Sequence, residues 1–232
     1  MNCQLSIMNL TDIHTHNNPR PGVPSIVDVS GCGDFVFGQE MMFSVGIHPK
    51  SIGEDWREKL SDIENIANKK GFAGVGECGL DKFSGSNKQL QEEVFEAQLS
   101  LAQRIGKPII IHCVRLYTDA IRIIKKASFT NPAIFHGYNG NPDITAQLLK
   151  MPNIYFSFSE STFATPETSG SKSLPMIPAS RILTETDCNA AADLSATVQK
   201  IAFKKQIDAS SLQQSVYENF MRIVGGAQRA RS

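Results

Sequence analysis

The chain has 232 residues, of which 41% are hydrophobic and 20% are charged, and its 23 basic residues balance its 23 acidic residues. This composition is typical of a soluble globular protein, and we expect residues 1–232 to form a single domain. A net charge of zero excludes a protein that binds nucleic acid through its overall field, because such proteins are basic. Any nucleic-acid substrate must therefore be held locally, by a few side chains or by metal ions.

The first ten residues, MNCQLSIMNL, have no basic segment and no long apolar core, and no apolar run approaches the length of a membrane span. The five cysteines show no paired spacing, so they suggest neither a zinc ribbon nor a redox motif. The sequence therefore predicts a reduced, cytoplasmic protein with no membrane association and no obligate protein partner.

Short apolar strands recur along the chain, and most are followed by an amphipathic helix. The predicted strands are Leu10–His14, Ser25–Val29, Met42–Ile47, Ala73–Cys78, Pro108–His112, Ala133–His136, Ile154–Phe158 and Arg181–Glu185. The predicted helices are Asp55–Asn68, Lys88–Ile105, Tyr117–Lys126, Pro142–Leu149, Asp193–Lys205 and Ser211–Ile223. The second helix begins with a capping-box pattern from Ser86 to Gln89, and the last is predicted to end at Gly225 and Gly226 before a loose tail, AQRARS.

Alternation of strands and helices predicts parallel pairing, and eight strands suit a TIM-like (β/α)8 barrel. An open, doubly wound sheet is the alternative. Only eight residues separate His16 from Ser25, and no helix pattern fits between the first three strands. We therefore expect the barrel to be abbreviated or irregular in its first third.

Histidines and acids end six of the predicted strands. They are His14 and His16 in an H-x-H pair, His48, Glu77, His112, His136 and Asp187. In a parallel barrel the C-terminal strand ends meet at one rim, where the active site lies. Imidazole and carboxylate suit divalent ions, and residues i and i+2 of a strand share a face, so an H-x-H pair can grip one ion. One such histidine is usually an ordinary polar residue, whereas all seven residues together predict a metal site.

The stretch GFAGVGECGLD, from Gly71 to Asp81, contains the G-x-G-x-x-G spacing of a dinucleotide-binding loop. Such a loop opens directly into a helix, and an acid ends the next strand about 20 residues later. Here LDKFSG intervenes before the helix, and Glu96 falls within it. We set aside a nucleotide-dependent oxidoreductase and take Glu77 as the functional residue, with Gly76 and Gly79 allowing close packing at the rim.

The ordered motifs DIHTH, GIHP, GVGECGLD, PIIIHC, HGYNG and ETD resemble those of the TatD-type metal-dependent hydrolases of the amidohydrolase superfamily. The resemblance extends from Asp12 to Val224. It implies a TIM-like barrel that cleaves phosphodiester bonds in DNA with metal-activated water.

The resemblance also implies two divalent metal ions, which could be Zn, Mg or Mn. Their ligands would be His14, His16, Glu77, His112, His136 and Asp187. The H-x-H pair would hold the first ion, the histidines of strands five and six would serve the second, and the strand-four glutamate would bridge them. A bridging carboxylate offsets part of the repulsion between two dications about 3.5–4 Å apart.

Two of these residues are also the predicted catalytic residues, Glu77 as the bridge and Asp187 as the group that takes a proton from the attacking water. Asp12 and Glu185 each lie two residues before a proposed ligand on the same strand. Because they share its face, we expect them to point inward, where either is a candidate to orient a ligand.

Substrate contacts are predicted at His48 by the resemblance, and at Lys82, Arg115 and Lys50 because these cations follow strand ends. Family members usually carry arginine two residues after the strand-five histidine, where this chain has Val114. The expected proline after ETD is also missing. Rim loops choose the substrate in this architecture, so these departures affect substrate identity more than metal chemistry.

Cys78, Cys113 and Cys188 each directly follow a proposed ligand. Successive strand residues point to opposite faces, so we expect all three to face the helices as small apolar residues. Two functional alternatives stay open: a hydrolase of a small amide, lactone or phosphoester, and a binding barrel without catalytic activity.

Overall fold

The computed structural model describes residues 9–16, 19–30, 41–164 and 167–229. Eight strands form one parallel sheet in chain order. They are β1 (Asp12–Thr15), β2 (Ser25–Asp28), β3 (Met42–Val45), β4 (Phe72–Asp81), β5 (Ile109–Val114), β6 (Ala133–Phe135), β7 (Ile154–Phe158) and β8 (Ile182–Thr184). A parallel bridge between Thr15 and Asp187 joins the two ends of the sheet. The predicted (β/α)8 barrel is confirmed, and the open sheet is excluded.

Helices follow the strands from β3 onward. They are α1 (Trp56–Ile66), α2 (Lys88–Arg104), α3 (Tyr117–Lys126), α4 (Pro142–Leu148), α5 (Ser169–Ser173), α6 (Leu194–Lys205) and α7 (Ala209–Arg229). Residues 19–24, between β1 and β2, form no helix, as the short spacing predicted. Residues 31–40, between β2 and β3, lie outside the described part of the chain. Within the described part, no helix has the length and apolar character needed to cross a membrane.

One predicted helix cap and one predicted helix end are wrong, although α2 begins at Lys88 as predicted. Asn87, not Ser86, caps α2, because its side chain accepts hydrogen bonds from the backbone N–H groups of Gln89 and Leu90. Helix α7 continues through Gly225 to Arg229, since two glycines weaken a helix without breaking its hydrogen bonds. The rest of the predicted tail, residues 230–232, lies outside the described residues, as does the predicted N-terminal segment over residues 1–8.

A small apolar cluster lies beneath the strand ends that carry the polar residues. Its members include Ile26, Ile110, Ile134 and Leu183, with Phe220 and Ile223 of α7 packed against them. Each of the four strand residues precedes by two positions an acid or a histidine at the rim, and therefore shares its face. The cluster is thus the apolar floor on which the polar residues of the barrel rest.

Strand β4 approaches β5 closely at two glycines with positive φ, 138° at Gly76 and 139° at Gly79. A Cβ atom at Gly79 would lie 2.1 Å from the carbonyl oxygen of His112, and one at Gly76 would lie 2.5 Å from that of Ile110. The predicted close packing at these glycines is confirmed. The strand also runs to Asp81, beyond its predicted end at Cys78.

Gly79→Ala is expected to lower the free energy of unfolding by about 2–4 kcal/mol, because it adds a backbone clash to an unfavourable φ. Gly85→Ala is the matched control: Gly85 also has a positive φ, of 82°, but no atom lies within 4 Å of its Cβ position. That variant is expected to lose only about 1 kcal/mol. Urea unfolding followed by circular dichroism measures both, and equal losses would show that contact with β5 is unimportant.

Candidate metal centre

The strand-end residues predicted from the sequence converge on one cavity of about 610 Å³. Its lining includes His16, His48, Glu77, His112, His136 and Asp187. The remaining residue, His14, is completely buried and contacts Glu77 and Asp187 from below. The fold therefore brings together all seven residues, although six separate strands and the loops that follow them supply these side chains.

One oxygen of Glu77 faces the H-x-H pair. Glu77 Oε2 lies 3.6 Å from His14 Nε2 and 3.4 Å from His16 Nε2. Asp187 Oδ1 lies 3.7 Å and 3.6 Å from the same two nitrogens. Ligands placed about 2.1 Å from a tetrahedral ion are separated by about 3.4 Å, so this spacing suits a single divalent ion.

The other oxygen of Glu77 faces a second set of imidazoles. Glu77 Oε1 lies 2.6 Å from both His112 Nδ1 and His136 Nε2, and 3.5 Å from His48 Nε2. His112 of β5 and His136, which directly follows β6, are therefore within hydrogen-bond distance of this oxygen. Glu77 therefore stands between two ligand groups, one on each oxygen, which is the placement expected of a bridging ligand.

Electrostatics at the centre favour an ionised Glu77. Burial opposes its charge, but contacts with His136, His112 and His14 outweigh burial and hold the pKa of the Glu77 carboxyl well below its usual range. For His136, burial opposes protonation, yet Glu77 and Glu185 raise its pKa well above the usual value. A hydrogen bond to Glu77 likewise raises the pKa of His16. Close contacts with imidazoles thus keep the Glu77 carboxylate ionised despite its burial.

Buried nitrogen atoms without partners show that the residues fit divalent ions. Both ring nitrogens of His14, which is fully buried, have no hydrogen-bond partner, and neither does His136 Nδ1. Such orphaned buried atoms are rare in proteins, because each forfeits its hydration without compensation. A cation between His14 Nε2, His16 and Asp187 would satisfy one of them, and imidazole with carboxylate is a donor set for zinc or manganese.

Three imidazoles have a carboxylate on the side that faces away from Glu77. The distances are 3.9 Å for His16 Nδ1 to Asp28 Oδ2, 3.3 Å for His112 Nε2 to Asp81 Oδ2, and 3.7 Å for His136 Nδ1 to Glu185 Oε1. Metal-binding histidines commonly face such an acceptor, which fixes the ring and its tautomer. The arrangement leaves the inner nitrogen of each ring pointing at the centre.

Sequence reasoning assigned no role to two of these carboxylates, Asp28 and Asp81. Asp28 ends β2, so the strand-end rule that selected the histidines would have found it. Asp81 was missed because β4 was expected to stop at Cys78, whereas the strand continues beside β5 for three more residues, to Asp81. The positive φ values of two glycines, invisible in a hydrophobicity pattern, account for that error.

Asp12 binds the backbone and side chain of Thr186, and not the ring of a histidine. Its carboxylate accepts hydrogen bonds from Thr186 N at 3.0 Å and Thr186 Oγ1 at 2.7 Å, and burial raises its pKa to about 6. The next residue, Asp187, has a φ of 52° and exchanges backbone hydrogen bonds with His14 and His16. Asp12 therefore positions a proposed ligand through its neighbour, whereas Glu185 faces His136 directly.

The prediction that three cysteines face the helices is right for two of them. Cys78 and Cys113 are buried in the apolar core between the sheet and the helices. Cys188 is exposed, lines the cavity, and has its Sγ atom 3.5 Å from Asp187 Oδ1. The left-handed φ of Asp187 ends strand alternation, so both side chains turn toward the cavity.

The predicted substrate contacts divide into two groups. His48 and Lys50 line the cavity, and Lys50 Nζ lies 3.8 Å from Asp81 Oδ2. Lys82 and Arg115 are exposed and do not line it. Arg115 borders a neighbouring cavity of about 400 Å³ that Asn139 also lines.

Comparison with known proteins identifies a family and several relatives of this chain. A family model described as TatD related DNase matches residues 34–225. An uncharacterized metal-dependent hydrolase of Bacillus subtilis, YabD, is 29% identical over 171 residues, which cover 73% of this chain and 65% of the relative. A 3′-5′ ssDNA/RNA exonuclease TatD of Edwardsiella piscicida is 33% identical over 150 residues, which cover 62% of this chain and 56% of the relative. The chain thus spans less than two thirds of each of these relatives.

Solved structures share the fold. The crystal structure of YjjV, a TatD homologue of Escherichia coli K12, matches with a TM-score of 0.78 at 17% sequence identity. The match covers 95% of this chain and 99% of that one, so the whole barrel corresponds. At this identity the likeness speaks for the fold alone, while the family model covers most of the sequence. This chain belongs to the family of TatD-related DNases.

Proposed function

We propose that this protein is a divalent-metal-dependent hydrolase that cleaves phosphodiester bonds in DNA. The observation that carries the proposal is the position of Glu77, whose two oxygens face two separate sets of imidazoles. The two relatives, a metal-dependent hydrolase and a 3′-5′ ssDNA/RNA exonuclease, support the same class of reaction.

Two ions are proposed, one held by His14, His16 and Asp187 and the other by His112 and His136, with the glutamate of β4 shared. When bound, the ions supply Lewis acidity, lowering the pKa of water from about 15.7 toward 7 and offsetting the charge of a phosphate. Binding at these residues explains how a chain without net charge accommodates an anionic substrate.

Asp187 is the proposed proton acceptor for the attacking water. Its side chain is 40% exposed at the cavity, whereas that of Glu77 is only 6% exposed. A carboxylate that reaches solvent can accept a proton at the site and release it to bulk water, and one enclosed among imidazoles cannot do so readily. The division of roles therefore follows from exposure: Glu77 holds the centre and Asp187 moves the proton.

Asp81→Asn is expected to weaken divalent-metal affinity by about 10- to 100-fold, because His112 loses the carboxylate that orients it. Asparagine keeps the oxygen that accepts from the Phe83 backbone N–H at 2.8 Å, so the local turn is preserved. Asp62→Asn, which changes another acid lining the cavity, is the control. Competition titration against a chelator measures the affinity, and equal affinities in the two variants would contradict the role of Asp81.

The proposal is tested with metal-stripped protein and a labelled single-stranded oligonucleotide. Activity is expected to return with at least one of Mg, Mn, Co or Zn and to disappear with excess chelator. Elemental analysis before stripping is expected to find bound divalent ions. Finding none, together with no cleavage under any added metal, would overturn the proposal.

A hydrolase of a small amide, lactone or phosphoester is the second candidate. It is favoured by the apolar wall that Ile47, Ile63 and Ile66 give the cavity, and by the absence of Arg115 from that cavity. A panel that compares single-stranded DNA with small esters and amides separates the two. Cleavage confined to small substrates would replace the nuclease proposal with this one.

We also propose that the protein works in the reducing environment of the cytoplasm. Cys78, Cys113 and Cys188 are all free thiols in the structure. Free thiols are typical of proteins that work in the reduced cytosol.

A further inference from the structure

We propose that Lys82, Phe83 and Arg115 form a platform that holds a single-stranded nucleic acid beside the metal centre. We call these three residues the rim patch. The inference rests on the proposed function and specifies how its substrate is held: the ring of Phe83 stacks on an unpaired base, and the two cations contact the flanking phosphates.

The rim patch is continuous with the metal centre through β4 and β5. Lys82 N donates a hydrogen bond to Val114 O at 3.1 Å, which places Lys82 next to Arg115 across the two strands. Arg115 follows His112 by three residues, a distance of about 10 Å along an extended chain. Asp81, directly before Lys82, contacts His112 Nε2 at 3.3 Å. A single-stranded nucleic acid bound at the metal centre therefore passes over the rim patch within a few nucleotides.

Phe83 is exposed on a turn that polar contacts hold in place. Its side chain is 69% exposed, although its backbone N–H donates to Asp81 Oδ1 at 2.8 Å. Gln91, which is 2% exposed, fixes the following residues by donating to Ser84 Oγ at 2.8 Å and Ser86 O at 2.9 Å. The fold thus presents a large apolar ring on an anchored turn, where no described residue covers it.

Phe203 on α6 gives an internal comparison. It is even more exposed, at 86%, and two lysines also flank it. Those lysines are neutralised, Lys200 by Glu160 at 3.3 Å and Lys204 by Glu167. Lys82 and Arg115, by contrast, have no acidic partner among the residues that the structure describes. A single exposed aromatic is ordinary, but an aromatic on an anchored turn, with two cations on the same two strand ends, is suited to binding a base and phosphates together.

Base stacking on an aromatic ring requires an unpaired base, whereas a duplex keeps its bases stacked inside. Stacking tolerates every sequence, because each base presents a π-face. The rim patch therefore selects for single strands without selecting for sequence. This is a property of the patch, separate from metal chemistry in the cavity.

Binding of fluorescein-labelled oligothymidylate, followed by anisotropy in excess chelator, tests the patch without cleavage. Phe83→Ala is expected to weaken binding by about 5- to 100-fold, and Phe203→Ala to leave it unchanged. Lys82→Gln and Arg115→Gln are each expected to reduce the slope of log K against log salt by about 0.7. Equal binding by the wild type and the Phe83→Ala variant would overturn the inference, as would failure of the wild type to bind.

A second measurement separates this inference from the proposed function. An oligonucleotide with abasic positions is expected to bind the wild type and the Phe83→Ala variant equally, because neither can stack. In cleavage assays Phe83→Ala is expected to raise KM for the oligonucleotide with little change in kcat, and to leave hydrolysis of a small phosphodiester unaltered. If the oligonucleotide binds through Phe83 but is not hydrolysed, the nuclease proposal is refuted and the rim patch is retained. If the oligonucleotide is cleaved equally well by the wild type and the Phe83→Ala variant, the rim patch is refuted and the nuclease proposal is retained.

Discussion

Asp187→Asn is expected to lower kcat for phosphodiester cleavage by about 10²- to 10⁴-fold, the usual contribution of a positioned proton acceptor. The amide that replaces the carboxylate cannot take a proton from water at neutral pH. Its oxygen still faces His14 and His16, so loss of the first ion is expected to be partial. The loss should therefore lie in kcat at saturating metal.

The fold is expected to survive this substitution. Asp187 has a φ of 52°, and asparagine is among the few residues that adopt left-handed backbone readily. Asp193→Asn is the matched control, since Asp193 caps α6 through Ser195 and Ala196 and asparagine caps helices equally well. Cleavage of a labelled oligonucleotide at saturating metal measures kcat. A decrease below about tenfold would show that another group takes the proton.

The same variant decides between the two candidate substrates. If robust cleavage of single-stranded DNA by the wild type disappears in Asp187→Asn, the nuclease activity belongs to this site and not to a contaminant. If only hydrolysis of a small ester disappears, the second candidate is correct.

Glu77→Ala is expected to abolish the metal pair, leaving no more than one ion bound per chain, and to lower kcat by about 10³-fold or more. The substitution removes an oxygen from each of the two ligand groups at once. His112 and His136 then remain as two imidazoles without a charged ligand, which is too few to retain a divalent ion in competition with water. Loss of the bridge also removes the charge that offsets repulsion between the ions.

Elemental analysis of the purified variant measures the stoichiometry, and circular dichroism verifies that the barrel remains folded. Glu77→Gln is a second variant that conserves the shape of the side chain. A similar loss of bound metal in both variants would show that the missing charge is the cause, and not the cavity that alanine leaves. Unchanged stoichiometry in Glu77→Ala would disprove the bridging role.

The strand-end rule predicted the centre because parallel strands must finish at the same rim, whichever parts of the chain supply them. It placed all five histidines, Glu77 and Asp187 correctly around one cavity. It missed what depends on backbone conformation. Gly76 and Gly79 extend β4 to Asp81, and the φ of Asp187 turns Cys188 into the cavity. Neither effect leaves a trace in hydrophobic periodicity.

Contacts between side chains were predictable only in part, for a related reason. Sharing a strand face predicted that Glu185 points inward, and its Oε1 atom lies 3.7 Å from His136 Nδ1. The same argument made Asp12 a candidate to orient an imidazole, whereas its carboxylate accepts two hydrogen bonds from Thr186. Periodicity gives the direction of a side chain, and the nearest donor decides its partner.

The backbone hydrogen bonds that join His14 and His16 to Asp187 link an early part of the chain to a late part. The two histidines leave the ribosome early in synthesis, and Asp187 leaves it late. Under the proposed assignment, no partial chain can assemble the first ion's ligands until the ring of strands has closed. Hydrolytic activity would then appear only in the finished barrel, and nascent or truncated chains would leave cellular nucleic acid intact.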